Sequence, residues 1–446
     1  MVARPAVVPE AEPRPRIRGG GVTGGTTGRS GRLASATALR APSLRAPRAA
    51  GRPAAVVGAG RMRVDAVDVL RGVIMILMAL DNTRDFFGDA AANPTDLATT
   101  SGPLFFTRWV THFCAPVFFL LTGTGASLSL GRTSVPELSR FLLTRGLLLI
   151  VLEATVVRAL WQFNVDYRVT ILNVLWALGW SMIVLAILVR LPRWVAPTFG
   201  LALIALHNLA DGVRPVAFGA LAPLWNVLHQ PGMLLATPRT VVFVAYPLIP
   251  WIGVAAAGYG LGEVYRWSAE RRRAFLLRAG VGLTLAFVAL RAIDVYGDPR
   301  PWAAHARAGY TALSFLNTNK YPPSLLFLLM TLGPALLFLW RADGREARLL
   351  RPALVIGRVP LCYYLLHVAL LHLLAVVAGC VRYGDAHWMF ESPSLDRFPM
   401  TQPAGWPLPL PAVYLVWALV VALLYPCCRW YAALKARRAD VWLRYI

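Results

Sequence analysis

Charge is scarce in this 446-residue chain: Asp, Glu, Lys and Arg together make up 15% of it, against 57% hydrophobic residues. Soluble domains keep about a quarter of their residues charged, so the shortage excludes a water-soluble globule and leaves a polytopic membrane protein. Acids are scarcer still, 22 against 45 Lys and Arg, for a formal net charge of +23. That surplus is spread over loops and an N-terminal tail with no basic folded module, which excludes a nucleic-acid partner. Cysteine is sparse as well. Of the five, Cys427 and Cys428 are adjacent and Cys362 lies in an apolar run, so no disulfide framework is present. There is no Walker-type loop, no GxGxxG after a strand, no GxSxG elbow and no obvious internal repeat. No Cys/His/acid spacing reads as a metal site, so no metal is expected.

What is abundant is apolar length, with fifteen Trp and a mean hydropathy of +0.55. Residues 1–62 are the exception. They are rich in Ala, Gly, Pro and Arg, have Glu10 and Glu12 as their only acids, and lack the apolar core of a signal peptide. This reads as a disordered basic tail ahead of one transmembrane domain at 63–446; an upstream extension before a start at Met62 would explain it equally well. Apolar runs place helices at 66–86, 109–130, 140–161, 170–190, 194–210, 240–262, 274–296, 322–340, 354–379 and 410–429. The expected fold is an all-α transmembrane bundle of about ten spans. The stretch 215–235 is broken by Pro223, Pro231 and Gly232, and reads as a re-entrant or interfacial piece or an eleventh span. Alternate connections carry twenty Lys and Arg on one side and twelve on the other. By the positive-inside rule both termini are cytoplasmic, in the cell (plasma or inner) membrane. His112, His207, His229, His305 and His387 then fall at or near the outer side.

The segment RVDAVDVLRGVIMILMALDNTRDFF, Arg63 to Phe87, stands apart, because it keeps Asp68 and Arg71 inside one end of a spanning helix and Asp81 and Asn82 at the other. A charge at a helix centre costs on the order of 3 kcal/mol, so such residues point to function unless they merely neutralise each other, as Asp68 and Arg71 at i,i+3 can. Arg71 and Asn82 are eleven positions apart, nearly the same face and roughly 16 Å along the axis. Asp81 and Asp85 share a face at i,i+4, suited to orienting a base, to binding a cationic or hydroxylated acceptor, or simply to facing solvent. His112, at the outer start of the second helix, is expected within reach of Asn82 as a general base, or else as an interfacial residue beside Trp109. Arg108, one turn away, would bind an anion or keep that histidine neutral. Glu153 lies alone in the third span and needs a partner on another helix, for which Arg158 or a histidine of the ninth helix would serve. His367 and His372, five apart, face different ways.

Several segments together, RVDAVDVLRG, LDNTRDFF, NPTDLATTS, RWVTHFCAPVFFLLTGTGA, YPLIPWIGV, FLNTNKYPPSLLFLLMTLGPAL, VPLCYYLLHVALLH and CRWYAALKARR, resemble the bacterial branch of the heparan-α-glucosaminide N-acetyltransferase catalytic-domain family. The resemblance runs from about Arg63 to the C-terminus. It implies a membrane acyltransferase that takes an acyl group, in the simplest case acetyl, from cytoplasmic acyl-CoA to an extracytoplasmic sugar, glycan or lipid acceptor. Related O-acyltransferases of surface sugars have an arginine in the first helix followed by a histidine. Arg71 matches the arginine, whereas the histidine position is Asn82, as in the eukaryotic heparan branch; the loop where that branch places its histidine, Thr83 to Arg108, has none. The resemblance thus carries over Arg71 and Asn82; joined to the reading of the residues themselves, acyl-CoA binding is expected near Arg71 and Asp68, and catalysis around Asn82, Asp81, Asp85 and His112. A rival class is a transporter or flippase for a polar lipid or sugar, since intramembrane charges also mark substrate pathways.

Overall fold

The charged first segment folds as one unbroken helix, α1 (Asp65–Phe87), at the centre of the bundle. A computed structural model describes residues 64–89, 92–345, 348–438, 440 and 443. The tail at 1–62 lies outside them. After α1 the chain starts α2 (Gly102–Thr111) on a Ser101 side chain that accepts from the Leu104 N–H, with Pro103 in the first turn. A break at His112-Phe113 separates it from α3 (Cys114–Ser129). Ser134 and Glu137 form a capping box that opens α4 (Val135–Leu152). That helix loosens into a π turn at Glu153–Val157 before α5 (Arg158–Gln162).

The fold is mostly helical, as expected, but not purely so. Three short strands, β1 (Val169–Leu172), β2 (Gly232–Ala236) and β3 (Val241–Val244), form a sheet in the order β1-β3-β2, with β1 and β3 parallel and β2 and β3 antiparallel. The runs 170–190 and 240–262 therefore begin as strands, followed by α6 (Val174–Leu188) and α9 (Leu248–Val264). Between them come α7 (Val195–Leu206) and α8 (Ala222–Leu228). The stretch 215–235 is thus no eleventh spanning helix. It is a 3-10 turn, a short helix and a strand, broken where its prolines and Gly219 (φ +53°) require.

The rest is helical: α10 (Ala269–Ile293), α11 (Ala308–Leu316), α12 (Leu325–Ala342), α13 (Arg351–Gly357), α14 (Pro360–Tyr383) and α15 (Leu410–Arg437). Among the described residues five helical stretches are long and apolar enough to cross a membrane: Gly102–Ser129, α10, α12, α14 and α15. Helix α1 matches them in length but carries too much charge to read as an ordinary span.

Two crossings fix the frame. A Cβ at Gly72 would lie 1.7 Å from the Ala353 carbonyl, and one at Gly357 would lie 1.8 Å from the Asp68 carbonyl, so α1 and α13 touch backbone to backbone. The same holds between α3 and α9, where a Cβ at Gly258 would meet the Leu120 carbonyl at 2.1 Å.

Candidate active site

Positions 71, 75, 78 and 82 of α1 recur at helical spacing and form one stripe, which borders two cavities in turn. The first cavity, of about 330 Å³, is lined by Arg71, Met75 and Met78 from α1 and by apolar residues of α3, α4 and α6. Arg145, Arg358 and Lys435 join Arg71 on its walls. The second, of about 550 Å³, has Asp81, Asn82 and Asp85 of α1 on its wall, with Arg84, Arg108 and Lys320 as its cations. Strands β1 and β3 contribute Ile171 and Phe243, which places the sheet over this cavity. Met78, Val174 and Tyr364 line both cavities, so the two meet there, one turn below Asn82.

At the first cavity Arg71 Nη1 donates to Asp68 Oδ1 (2.6 Å) and to the Gly357 carbonyl (3.2 Å). The neutralising pair therefore exists, yet the same guanidinium is part of the cavity wall. At the second, Asp81 is paired with Arg108 across helices and with Arg84 at 3.2 Å, and Arg84 continues to Asp85 at 2.6 Å. The acids expected at a solvated helix end thus form a half-buried network with two arginines. Arg108 is used in that network. Lys320 lies over the Tyr321 ring, 5.1 Å from its centroid. Burial opposes ionisation of the Tyr321 phenol, but Lys320 and Arg108 outweigh it and hold that phenol below its ordinary range. At the rim the Ser394 hydroxyl keeps the Asp396 carboxyl below its usual range, hence ionised near neutrality.

Asn82 meets a different histidine from the one expected. Its Nδ2 lies 2.8 Å from His367 Nε2, and His367 Nδ1 lies 3.0 Å from the Tyr363 carbonyl. Nδ1 faces a pure acceptor and must carry the proton, so Nε2 accepts from the Asn82 amide. The His367 ring is fully buried, stacked on Tyr363 and edge-on to Tyr364. His112 is buried where α2 gives way to α3, with its ring against Phe327 and Nδ1 unpartnered. Its neighbours Thr111 and Cys114 line the second cavity, and His112 does not. His372 lies between the Leu160 and Met389 carbonyls.

Glu153 is also corrected. Rather than Arg158 or a histidine, its Oε2 accepts from the backbone N–H groups of Leu175 (2.8 Å) and Trp176 (3.3 Å), capping α6. This fixes the end of α6 that supplies Val174 to both cavities. Arg158 binds Asp166 (2.9 Å) and Ser392 (3.1 Å) instead.

The profile for "heparan-alpha-glucosaminide N-acetyltransferase, catalytic" matches residues 63–296, just over half of the chain. The chain belongs to that family. It is thereby a membrane protein of a transferase family, as its apolar helices also indicate. No curated protein matches it. The matched segment contains the α1 stripe, Arg108, His112 and the strands; Lys320, Tyr321, Arg358, Tyr364 and His367 lie beyond it. The family match therefore covers most of the lining of both cavities, and the remainder comes from the chain beyond residue 296. The residues missed from sequence, Tyr364 and His367 as Asn82's partner, come from that remainder, as do Lys320 and Tyr321. The last two lie in the segment FLNTNKYPPSLLFLLMTLGPAL, one of those that carry the resemblance.

Proposed function

We propose that this chain is an integral-membrane acyltransferase that carries an acyl group, in the simplest case acetyl, from cytoplasmic acyl-CoA to an amine or hydroxyl of an extracytoplasmic sugar, glycan or lipid. The observation that carries this reading is the meeting of two chemically different cavities at Met78, Val174 and Tyr364 beside Asn82. A donor that cannot cross the membrane and an acceptor that cannot enter need such a junction. The first cavity suits an acylated pantetheine arm: methionine, leucine and phenylalanine line it, and Arg71, Arg145, Arg358 and Lys435 offer charge for the phosphates. The second, with three acids and three cations, suits a polar acceptor.

In this reading the thioester carbonyl reaches the junction. Asn82, held by His367, turns its remaining N–H to the oxyanion as the acceptor attacks. Asp85, the more exposed acid of the network, takes the acceptor's proton. The carbon–sulfur bond breaks, CoA leaves as the thiolate on the side it came from and takes a proton from water there, and Asp85 returns its proton to water in the second cavity. About ten spans with both termini cytoplasmic, in the cell membrane, would put the first cavity inside and the second outside, since Arg145, Arg358 and Lys435 belong to the arginine-rich connections or their helix ends.

Purified protein in detergent, given radiolabelled acetyl-CoA and a panel of amino sugars, glycans and lipids, tests this. Saturable CoA binding and acceptor-dependent thiol release are expected. No CoA binding and no thiol release with any acceptor would sink the enzyme, and proteoliposome uptake of a sugar or lipid without acyl-CoA would establish the transporter in its place.

A further inference from the structure

His207, Asp211 and His229 lie apart from both cavities. His207 opens the 3-10 turn that ends α7, and His229 follows α8, so twenty-two positions separate the histidines and no short motif joins them. The fold brings one nitrogen from each ring and one Asp211 carboxylate oxygen within 4.8 Å of one another. Both histidines are buried, 5% and 1% exposed. Neither ring nitrogen of His207 makes a hydrogen bond of normal geometry, nor does Nδ1 of His229. An unsatisfied buried polar group costs about 1–3 kcal/mol, so a nitrogen left over on each ring calls for a ligand.

The surroundings are those of a held site. Asn208 Nδ2 donates to Asp211 Oδ2 (2.7 Å), which leaves Oδ1 turned toward His229 Nε2 at 3.8 Å. The His207 carbonyl lies 2.9 Å from the same nitrogen and, as a pure acceptor, takes its N–H, which leaves the buried, unpartnered Nδ1 as the nitrogen of His229 with a lone pair for an ion. The Trp225 ring stacks on His229 (5.0 Å, 16°) and fixes its plane. The Pro323 carbonyl stands near enough to act on the His207 ring and can hold the N–H of whichever nitrogen does not bind.

We infer that His207, Asp211 and His229 form a binding site for a first-row divalent cation, with zinc the best match to two imidazoles and one carboxylate. This departs from the expectation of no metal, which rested on spacing alone. The site ties the end of α7 to the α8–β2 connection. Pro231, two residues past His229, lines the second cavity, and Asn208 Oδ1 accepts from the Leu325 N–H at the start of α12. A bound ion would staple the outer wall whichever reaction the cavities serve.

Tag-free protein in detergent, stripped with a chelator and dialysed against Zn²⁺, should retain one zinc per chain by elemental analysis. Co²⁺ in its place should give the visible d–d bands of a low-coordinate nitrogen/oxygen site, and Zn²⁺ should raise the melting temperature where Mg²⁺ does not. His207→Ala and His229→Gln should abolish all three. Asp211→Asn, which keeps the side-chain volume, should shift the cobalt bands and weaken zinc, and Asn208→Ala should weaken it about 10–100-fold. Substoichiometric zinc in the wild-type protein, or cobalt bands unchanged in a monodisperse Asp211→Asn protein, would overturn the assignment.

Discussion

The Asn82 amide can face its cavity in only one orientation while His367 Nδ1 is committed to the Tyr363 carbonyl. That makes His367 a positioning residue for Asn82, and its loss should be felt in turnover rather than in donor affinity. His367→Ala is expected to lower kcat about 10–100-fold, in line with one lost charge-orienting hydrogen bond, with the KM for acyl-CoA nearly unchanged. His112→Ala, whose ring faces Phe327, should keep both the rate and the pH profile; loss of an ascending limb near pH 6–7 in that variant would return the base to His112. Arg71 permits a similar separation. Arg71→Ala should raise the KM for acyl-CoA about tenfold or more and also lower the melting temperature, because Asp68 loses its partner. Adding Asp68→Asn should restore the melting temperature and leave KM high. A double variant with wild-type KM would make the pair purely structural. Arg71 and Asn82 were legible in the sequence because a charge inside an apolar helix is conspicuous on its own. His367 as Asn82's partner was not, since which face of α14 meets α1 depends on how two helices pack, and nothing local to residue 367 records it.

Helices were the legible elements. Apolar runs of spanning length located the long ones but not the short α2, α8, α11 and α13 as helices of their own, and Ser101, Ser134, Ser268 and Ser324 mark four starts by side-chain capping. The strands escaped because VTIL and VVFV are short apolar runs without alternation, which periodicity cannot separate from the beginning of a helix. The Glu153 turn escaped for another reason: a lone acid in a span looks like a partner for a charge, whereas it caps a neighbouring helix end. Close helix crossings give this scale its own prediction. Gly258→Ala places a methyl group 2.1 Å from the Leu120 carbonyl, a rigid backbone atom, so α3 and α9 must separate. A destabilisation of about 1–3 kcal/mol is expected, read as a lower melting temperature in detergent. Gly125→Ala, at a helical glycine with open space around it, should change little. Equal effects at the two positions would mean that the loss is general to glycine and not due to the crossing.

For the molecule as a whole, two cavities that meet are useful to a transferase only if they open to opposite sides of the membrane. Orientation rests on the twenty-to-twelve bias of Lys and Arg between alternate connections, a property of the whole chain that no single site carries. Two glycines with open space around them report on it: Gly131, in the connection between α3 and α4, and Gly309, in α11 on the opposite set of connections. With the exposed Cys380 and Cys427 and the half-buried Cys362 changed to serine and the buried Cys114 and Cys428 retained, each glycine can be replaced in turn by cysteine. A membrane-impermeant maleimide applied to intact cells should label Gly309→Cys at once and Gly131→Cys only after permeabilisation. The reverse pattern would turn the molecule over, placing the Arg71 cavity outside, where no acyl-CoA is available. The two-sided reaction would then fail even with every residue of the site in place. Labelling of both positions in intact cells would break the alternation of spans between them, and would require the path from α3 to α11 to cross the membrane a different number of times.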